Sequence, residues 1–423
     1  MRKWEPGNRL GRRPWRRIGA ALLLLALAVP ARAQLGLPTG PLGDTLGGIG
    51  ANLRGTLSDL GNGTRDTVRS VVEKLEDARA TRLKRFVETT PGVELDDADN
   101  PARAGEVLLL DPDPRALEIA RTKGFALIEK GALDGLDIGY ARLSVPAGTK
   151  LGEALAQLRK ALPDHDVSAD QIHFRAGVTP GLAGAVSAAP AALPRGGRVG
   201  VIDGGMTASN RLAAQEGFAK GAPRPDEHAM AIGSLLAGAG TARIYSADVY
   251  GSDPAGGDAL AIARALAWMQ AKGVPVVSIS LVGPQNPLLA RAVRGAQAKG
   301  MQVVAAVGND GAASPPSYPA SYAGVIAVTG VDARGRVLIE AGRAAHLDYA
   351  APGADLSARV PGKGRIDLRG TSFAAPLVAS RLAARRAGGL DAAAALHALD
   401  AEAVTGGKGT ARGILCNICR SGL

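Results

Sequence analysis

Between residues 64 and 88 the apolar side chains Val68, Val71, Val72, Leu75, Leu83, Phe86 and Val87 recur at spacings of three and four, with Arg, Lys, Glu and Asp between them. That period predicts one amphipathic helix, ended by Pro91-Gly92. Acids and bases alternate on its polar face, so the apolar stripe reads as packing against a neighbouring element rather than against a membrane. From about 105 the pattern shortens. Glu106 to Leu110 is an apolar strand, and Asp113-Pro114 supplies a cap and a first-turn proline for a helix to about Thr122. Phe125 to Glu129 and Leu136 to Val145 read as strands, Lys150 to Ala161 as a second helix, and Gln171 to Arg175 as a last strand.

The order from 105 to 176 is βαββαβ, the split ferredoxin-like arrangement of a four-stranded antiparallel sheet under two helices. His165 and His173 lie in it with no cluster of acids or cysteines around them, and read as ordinary surface or strand residues. Residues 177–196 are small, proline-punctuated and uncharged except for Arg195, which makes them a linker and an exposed target for proteolysis. Beyond it the apolar runs Arg198–Asp203, Arg243–Val249, Val274–Ser280, Gln302–Val307 and Val325–Val328 alternate with helical stretches at about 227–237, 257–272 and 286–299. Alternation of this kind predicts a doubly wound, mostly parallel α/β sheet with helices on both faces, whose functional groups gather at the carboxyl edge of the strands.

Composition changes the picture at the two ends. The 423 residues are 46% hydrophobic and 21% charged, which fits folded domains and excludes a disordered chain. The net charge of +11 is concentrated at the start, where residues 1–33 hold eight basic groups against the single Glu5; without them it falls to +4. With only 3% aromatic residues besides, nucleic-acid binding is not indicated. Basic residues 2–17, the apolar run 18–30 and Ala31-Arg32-Ala33 together read as a secretory signal peptide. Arg12-Arg13 or Arg16-Arg17 leave twin-arginine export open. The apolar run is too short to span a bilayer, so the expected mature chain has no membrane span and is secreted or periplasmic. Residues 34–63 form a Gly- and Leu-rich leader, making 34–104 a leader plus helix. In an exported chain the lone pair Cys416 and Cys419 reads as a disulfide closing the tail 401–423; a redox or metal role would need partners that are not nearby.

Four polar groups fall at the sheet edge. Asp203 ends VGVID, His228 starts a helix, Asn309 follows QVVAAVG, and Ser372 opens the helix after Gly370-Thr371. Acyl transfer needs a hydroxyl nucleophile, an imidazole base, a carboxylate to hold its tautomer, and an oxyanion donor. Singly, each of the four is also explained as a cap or a turn residue.

At these residues the chain resembles the subtilisin-like serine proteases (subtilases, peptidase S8), in the order Asp, His, Ser. GTSFAAP at 370–376 is similar to the family's nucleophile motif, VGVIDGG at 199–205 to its aspartate motif, AAVGNDG at 305–311 to its oxyanion asparagine motif, and SISLVGP at 278–284 to its substrate-binding strand. The resemblance implies a subtilisin-type three-layer α/β/α domain over about 197–400, with Ser372 as nucleophile, His228 as general base, Asp203 as its orienting carboxylate and Asn309 as oxyanion donor. It implies that Ser280, Leu281, Val282 and Gly283 bind substrate. Two departures matter: Ala229-Met230 follow His228 where the family has Gly-Thr, and Val282 replaces a glycine on a pocket wall, implying a small or medium apolar residue before the scissile bond. The unit at 105–176 is similar to the family's propeptide, which would make it the chain's own partner in a self-processing zymogen acting on peptide or protein substrates. No cofactor is expected, and calcium is expected to be dispensable because no acidic DxD cluster separates the motifs. The rival reading is a catalytically idle subtilase fold that binds peptides or a partner.

Overall fold

A computed structural model describes residue 77 and residues 79–176 and 193–423. The expected signal peptide and leader, most of the expected helix 64–88 and most of the linker 177–196 lie outside the described residues. What is described of that helix runs over 79–89.

The N-terminal elements are β1 (Val93–Leu95), β2 (Pro101–Leu110), α1 (Pro114–Thr122), β3 (Ala126–Leu133), β4 (Ile138–Ser144), α2 (Leu151–Ala161) and β5 (Val167–Gln171). Asp113 accepts from Ala116 N–H, and Pro114 opens the first turn of α1. All strand pairings are antiparallel: β4 lies between β2 and β3, and β1 and β5 share the other side of β2. The run from Val107 to Leu110 is apolar throughout because both faces of β2 are covered. Val107 and Leu109 pack on α1 and α2, whereas Leu108 and Leu110 face outward into the core beneath the later helices. The last strand of this unit is Val167–Gln171, four residues earlier than the apolar pattern of 171–175 suggested. Phe174–Arg175 instead forms β6, which pairs outside this sheet.

The second sheet is built from β7 (Arg198–Asp203), β8 (Leu212–Gly217), β9 (Arg243–Asp248), β10 (Val276–Ile279), β12 (Gln302–Ala306), β13 (Ile326–Val331) and β14 (Tyr349–Pro352), with the two-residue β11 (Leu281–Val282) just after β10. All seven strands are parallel, in the order β14-β13-β12-β10-β7-β9-β8. The α/β class expected from the alternation therefore holds. Two strands, β8 and the short, buried β14 (YAAP), fall outside the apolar runs read from the sequence. Both are at sheet edges, and β8 (LAAQEG) is half exposed, so a continuous hydrophobic run is not required there.

Helices α3 (Glu227–Gly238) and α6 (Thr371–Ala387) cover one face; α4 (Ala259–Ala271) and α5 (Pro287–Ala298) cover the other. On β7, Val199 and Val201 point to the first pair and Ile202 to the second. Leu108, Leu110, Ile138 and Tyr140 of the antiparallel sheet join the α4–α5 core, so that sheet sits on these two helices. A β-ribbon, β15 (Leu356–Val360) with β16 (Gly364–Leu368), precedes α6, and α7 (Ala392–Glu402) follows it. Cys416 and Cys419 form the expected disulfide. The tail is nevertheless laid down along its length: Ile414 bridges Ala350, Ser421 bridges Ser357, and the backbone oxygen of Leu423 accepts from Ser234 Oγ on α3 at 2.9 Å.

One buried ion pair locks the far end of α6. Arg381 is fully buried, and its Nε donates to Glu402 Oε1 at 2.6 Å while Arg385 reaches Oε2 at 2.8 Å. Burial alone would raise the Glu402 carboxyl, but the hydrogen bonds and charges of the two arginines hold it below the usual range. A depressed carboxyl contributes stability above its unfolded pKa and loses it as pH falls through the folded one. Glu402→Gln is expected to lower unfolding free energy at pH 7 by about 3–5 kcal/mol, because Arg381 is left uncompensated. It should also flatten the loss of stability that the parent shows below about pH 4.5, both read from urea unfolding at neutral and acid pH.

Candidate active site

The four residues named by their motifs come from four elements that end or begin at one edge of the parallel sheet. Asp203 is the last residue of β7 and is fully buried; His228 lies in the first turn of α3 and Ser372 in the first turn of α6. Asp226 caps α3 by accepting from the backbone N–H groups of His228 and Ala229, which holds the imidazole at the helix start. The His228 ring then lies with Nδ1 3.0 Å from Asp203 Oδ2 and Nε2 2.9 Å from Ser372 Oγ. Burial would raise the Asp203 carboxyl, yet the His228 charge and hydrogen bond, the Arg175 charge and the Gly204 N–H lower it below the usual carboxylate range. It is therefore an anion at neutral pH, fixing the proton on Nδ1 and leaving Nε2 to accept from the serine. Ala229 is buried among apolar side chains, and its methyl group leaves these distances intact.

Ser372 owes its position to Gly370, whose φ of 137° turns the chain into α6. Thr371 ties this turn to the end of β12. Its hydroxyl exchanges hydrogen bonds with Gly308, and its N–H donates to Asn309 Oδ1 at 3.1 Å. With the amide oxygen so held, Asn309 Nδ2 points at the same place as the Ser372 N–H. Both donate to one acceptor, the carbonyl oxygen of Ala176, with Ser372 N at 3.0 Å.

Ala176 belongs to the segment between the two sheets. Upstream of it, Phe174–Arg175 (β6) runs antiparallel to Leu281–Val282 (β11), with Arg175 opposite Leu281 and Phe174 opposite Val282. Ala176 N–H donates to the Ser280 carbonyl at 2.9 Å, and the Ser280 hydroxyl donates to the Ser372 carbonyl. Gly283, the fourth residue of the expected binding strand, pairs instead with Tyr318, and its bare Cα faces His173: a Cβ there would come within 2.5 Å of the imidazole. His173 is thus fully buried in the cleft, not a surface or strand residue, and burial pushes its pKa down to about 4. An apolar, isolated histidine gives no sequence signal that a cleft will close over it. His346, by contrast, bonds the Val325 carbonyl and is no part of this cluster.

Val282 pairs with Phe174, two residues before Ala176. It lies across Gly308, where even an added Cβ would be 3.3 Å from Val282 Cγ1. From the other side, the helical stretch 79–89 covers the upstream strand. The Phe86 ring meets Phe174 edge-on with centroids 5.0 Å apart, and Arg82 pairs with Asp310, next to Asn309, at 2.6 Å. Sequence reasoning found no role for that helix, because both partners are distant in the chain.

Residues 205–391 match the subtilase family. A 150-residue stretch is 38% identical to subtilisin BL of Lederbergia lenta, covering 35% of this chain and 55% of that protein. A 200-residue stretch is 31% identical to alkaline elastase YaB of Bacillus sp. strain YaB, covering 44% and 52%. The chain thus spans about half the length of these curated relatives. Fervidolysin from Fervidobacterium pennivorans, described as a keratinolytic enzyme related to subtilisin, has a similar fold, with a TM-score of 0.62 over 75% of this chain and 61% of its own at 16% identity. The family match begins two residues after Asp203, so the link of Asp203 to His228 rests on the distances alone.

The arrangement sets a serine hydroxyl against an imidazole, the imidazole against a buried carboxylate, and two N–H donors on one carbonyl oxygen, with a chain segment covering all of them. A fluorophosphonate probe is expected to label Ser372 only in protein from which the 77–176 segment has left, and to leave Ser372→Ala and His228→Ala unlabelled, as read by gel fluorescence and peptide mass mapping.

Proposed function

We propose that the chain, whose residues 205–391 match the subtilase family, is an exported serine endopeptidase made as a zymogen that cuts itself between Ala176 and Gly177. The observation that carries this reading is the Ala176 carbonyl. It accepts hydrogen bonds from Ser372 N–H and the Asn309 amide while its flanking residues lie as a strand along Leu281–Val282. This is the pose of a bound substrate, in which main-chain pairing supplies affinity and side-chain pockets supply selectivity. The unit from Val93 to Ala176 is read as a propeptide and the chain's own first substrate; the expected signal peptide at 1–33 carries the export. Among the described residues no helix is long and apolar enough to cross a membrane.

In the proposed reaction Ser372 Oγ attacks the Ala176 carbonyl carbon as His228 Nε2 takes its proton. Charge developing on the oxygen meets the two donors and the N-terminal dipole of α6. The imidazolium then gives the proton to the Gly177 nitrogen, the peptide bond breaks, and water activated by the same imidazole releases the acyl group. Removing one oxyanion donor in Asn309→Ala is expected to cost about 10²–10³ in turnover, the cost of the equivalent loss in subtilisin. The pocket narrowed by Val282 against Gly308 favours alanine at the residue before the cut.

The alternative is an idle fold that binds peptides, suggested by Ala229-Met230 after His228. The unbroken line from Asp203 through His228 to Ser372 favours the enzyme. The test is to express residues 34–423 beside a Ser372→Ala copy and to read mass and N-terminus of each. A new N-terminus at Gly177 in the parent alone supports the reading. A parent that stays whole and unlabelled by fluorophosphonate, even after an external protease has removed the 34–176 segment, overturns it. With activity in hand, Val282→Gly should raise the kcat/KM ratio of phenylalanine over alanine before the scissile bond by about tenfold or more, since the lost methyl groups are those that fill the pocket.

A further inference from the structure

We propose that the subsite holding the residue before Ala176 is built for arginine, so that the enzyme selects peptides with arginine in the second position upstream of the cut. This assignment rests on the self-processing reading above and specifies its substrates. Arg175 occupies that position and turns away from the strand into a cavity of about 360 Å³ lined in part by Phe86, Asp226, Asp248 and Tyr250.

Three groups receive it. The guanidinium carbon lies over the Tyr250 ring, 4.1 Å from the centroid. Its Nη2 is 3.1 Å from Asp226 Oδ2, and its Nε is 3.6 Å from Asp203 Oδ1. That Nε is buried with no hydrogen-bond partner, so only the nearby carboxylates offset its loss of water. Each receiving group is held by something other than Arg175. Asp226 spends its other oxygen on the cap of α3, and Asp203 is fixed by His228 and Gly204. The Tyr250 hydroxyl donates to the His173 carbonyl and loses that partner when the segment leaves, but Asp248 still fixes the Tyr250 loop by accepting from the N–H groups of Tyr250 and Gly251.

The subsite therefore keeps its carboxylates when the strand departs, and a cation is what restores the charge balance. Arginine fits better than lysine for a geometric reason. Two nitrogens of one planar fork approach two different carboxylates while its carbon lies over the tyrosine ring, and a single ammonium cannot do all three. The residue after it in this chain is Ala176, so the expected recognition sequence is arginine followed by a small residue.

The test uses the self-processed protein and internally quenched peptides of sequence Ile-His-Phe-Xaa-Ala-Gly-Val, with arginine, lysine, citrulline or alanine at Xaa. Citrulline keeps the planar shape of arginine and removes its charge. The expected order in kcat/KM is arginine, then lysine, then citrulline and alanine, with arginine about tenfold or more above citrulline. Asp226→Asn keeps the oxygen that caps α3 and removes the charge, and should lower the arginine-to-citrulline ratio several-fold, with Asp203 still facing the guanidinium. Tyr250→Leu keeps both carboxylates and should narrow the gap between arginine and lysine. Equal rates for arginine and citrulline in the parent overturn the assignment while leaving the protease reading intact, and they do so even if the Asp226 variant fails to process itself. Cleavage of none of the peptides by the parent overturns both.

Discussion

Two N–H groups converge on the carbonyl oxygen of Ala176, and the geometry of that convergence constrains most of the molecule. One donor is the backbone of Ser372 at the start of α6, the other is the side chain of Asn309 just beyond β12. They can meet only if a helix start and a strand end are held in fixed relation, which is what the paired hydrogen bonds between Thr371 and Gly308 and the bond from Thr371 N–H to Asn309 do. Gly370 makes the turn possible from one side. From the other end, the Arg381–Glu402 pair fixes α6 against α7, so a helix of 17 residues presents its first turn rigidly.

The parallel sheet is the second requirement. Because its strands all run one way, Asp203 and Asn309 emerge at the same edge, and the helices that follow or precede them start there too. The antiparallel sheet then sits on α4 and α5 rather than on the edge itself, and only its exit strand β6 reaches the cleft. Attachment and occupation of the site are thus separated: Leu108, Leu110, Ile138 and Tyr140 hold the unit on two helices, while three residues, Phe174 to Ala176, fill the cleft.

Electrostatics tie the two together. Asp203, Asp226 and Asp248 are concentrated around the helix start at His228, and Arg175 is the cation that meets them from the upstream strand. Asp226 serves two elements at once, one oxygen capping α3 and the other facing the cleft. A single carboxylate thereby links the position of the imidazole to the chemistry of the neighbouring subsite.

The alternation of apolar runs and helical periods was enough to read a parallel α/β sheet, because strands buried on both faces must be continuously hydrophobic, as RVGVID and QVVAA are. It could not reveal β8, whose exposed edge position lifts that demand, or β14, which is buried but only four residues long. The chemistry of Asp203, His228, Asn309 and Ser372 was legible because each stands in a local motif at a strand end or helix start, and local backbone geometry requires those neighbours. Residues 171–175 read as one strand, since hydrophobic spacing does not say which sheet a strand will join. Only the tertiary structure decided that the chain leaves β5 at Gln171, buries His173 against Gly283, sets Arg175 between Tyr250 and two carboxylates, and delivers Ala176 to the Ser372 N–H. Those contacts join residues from 28 to 196 positions apart, and no local period or propensity carries information across such a distance.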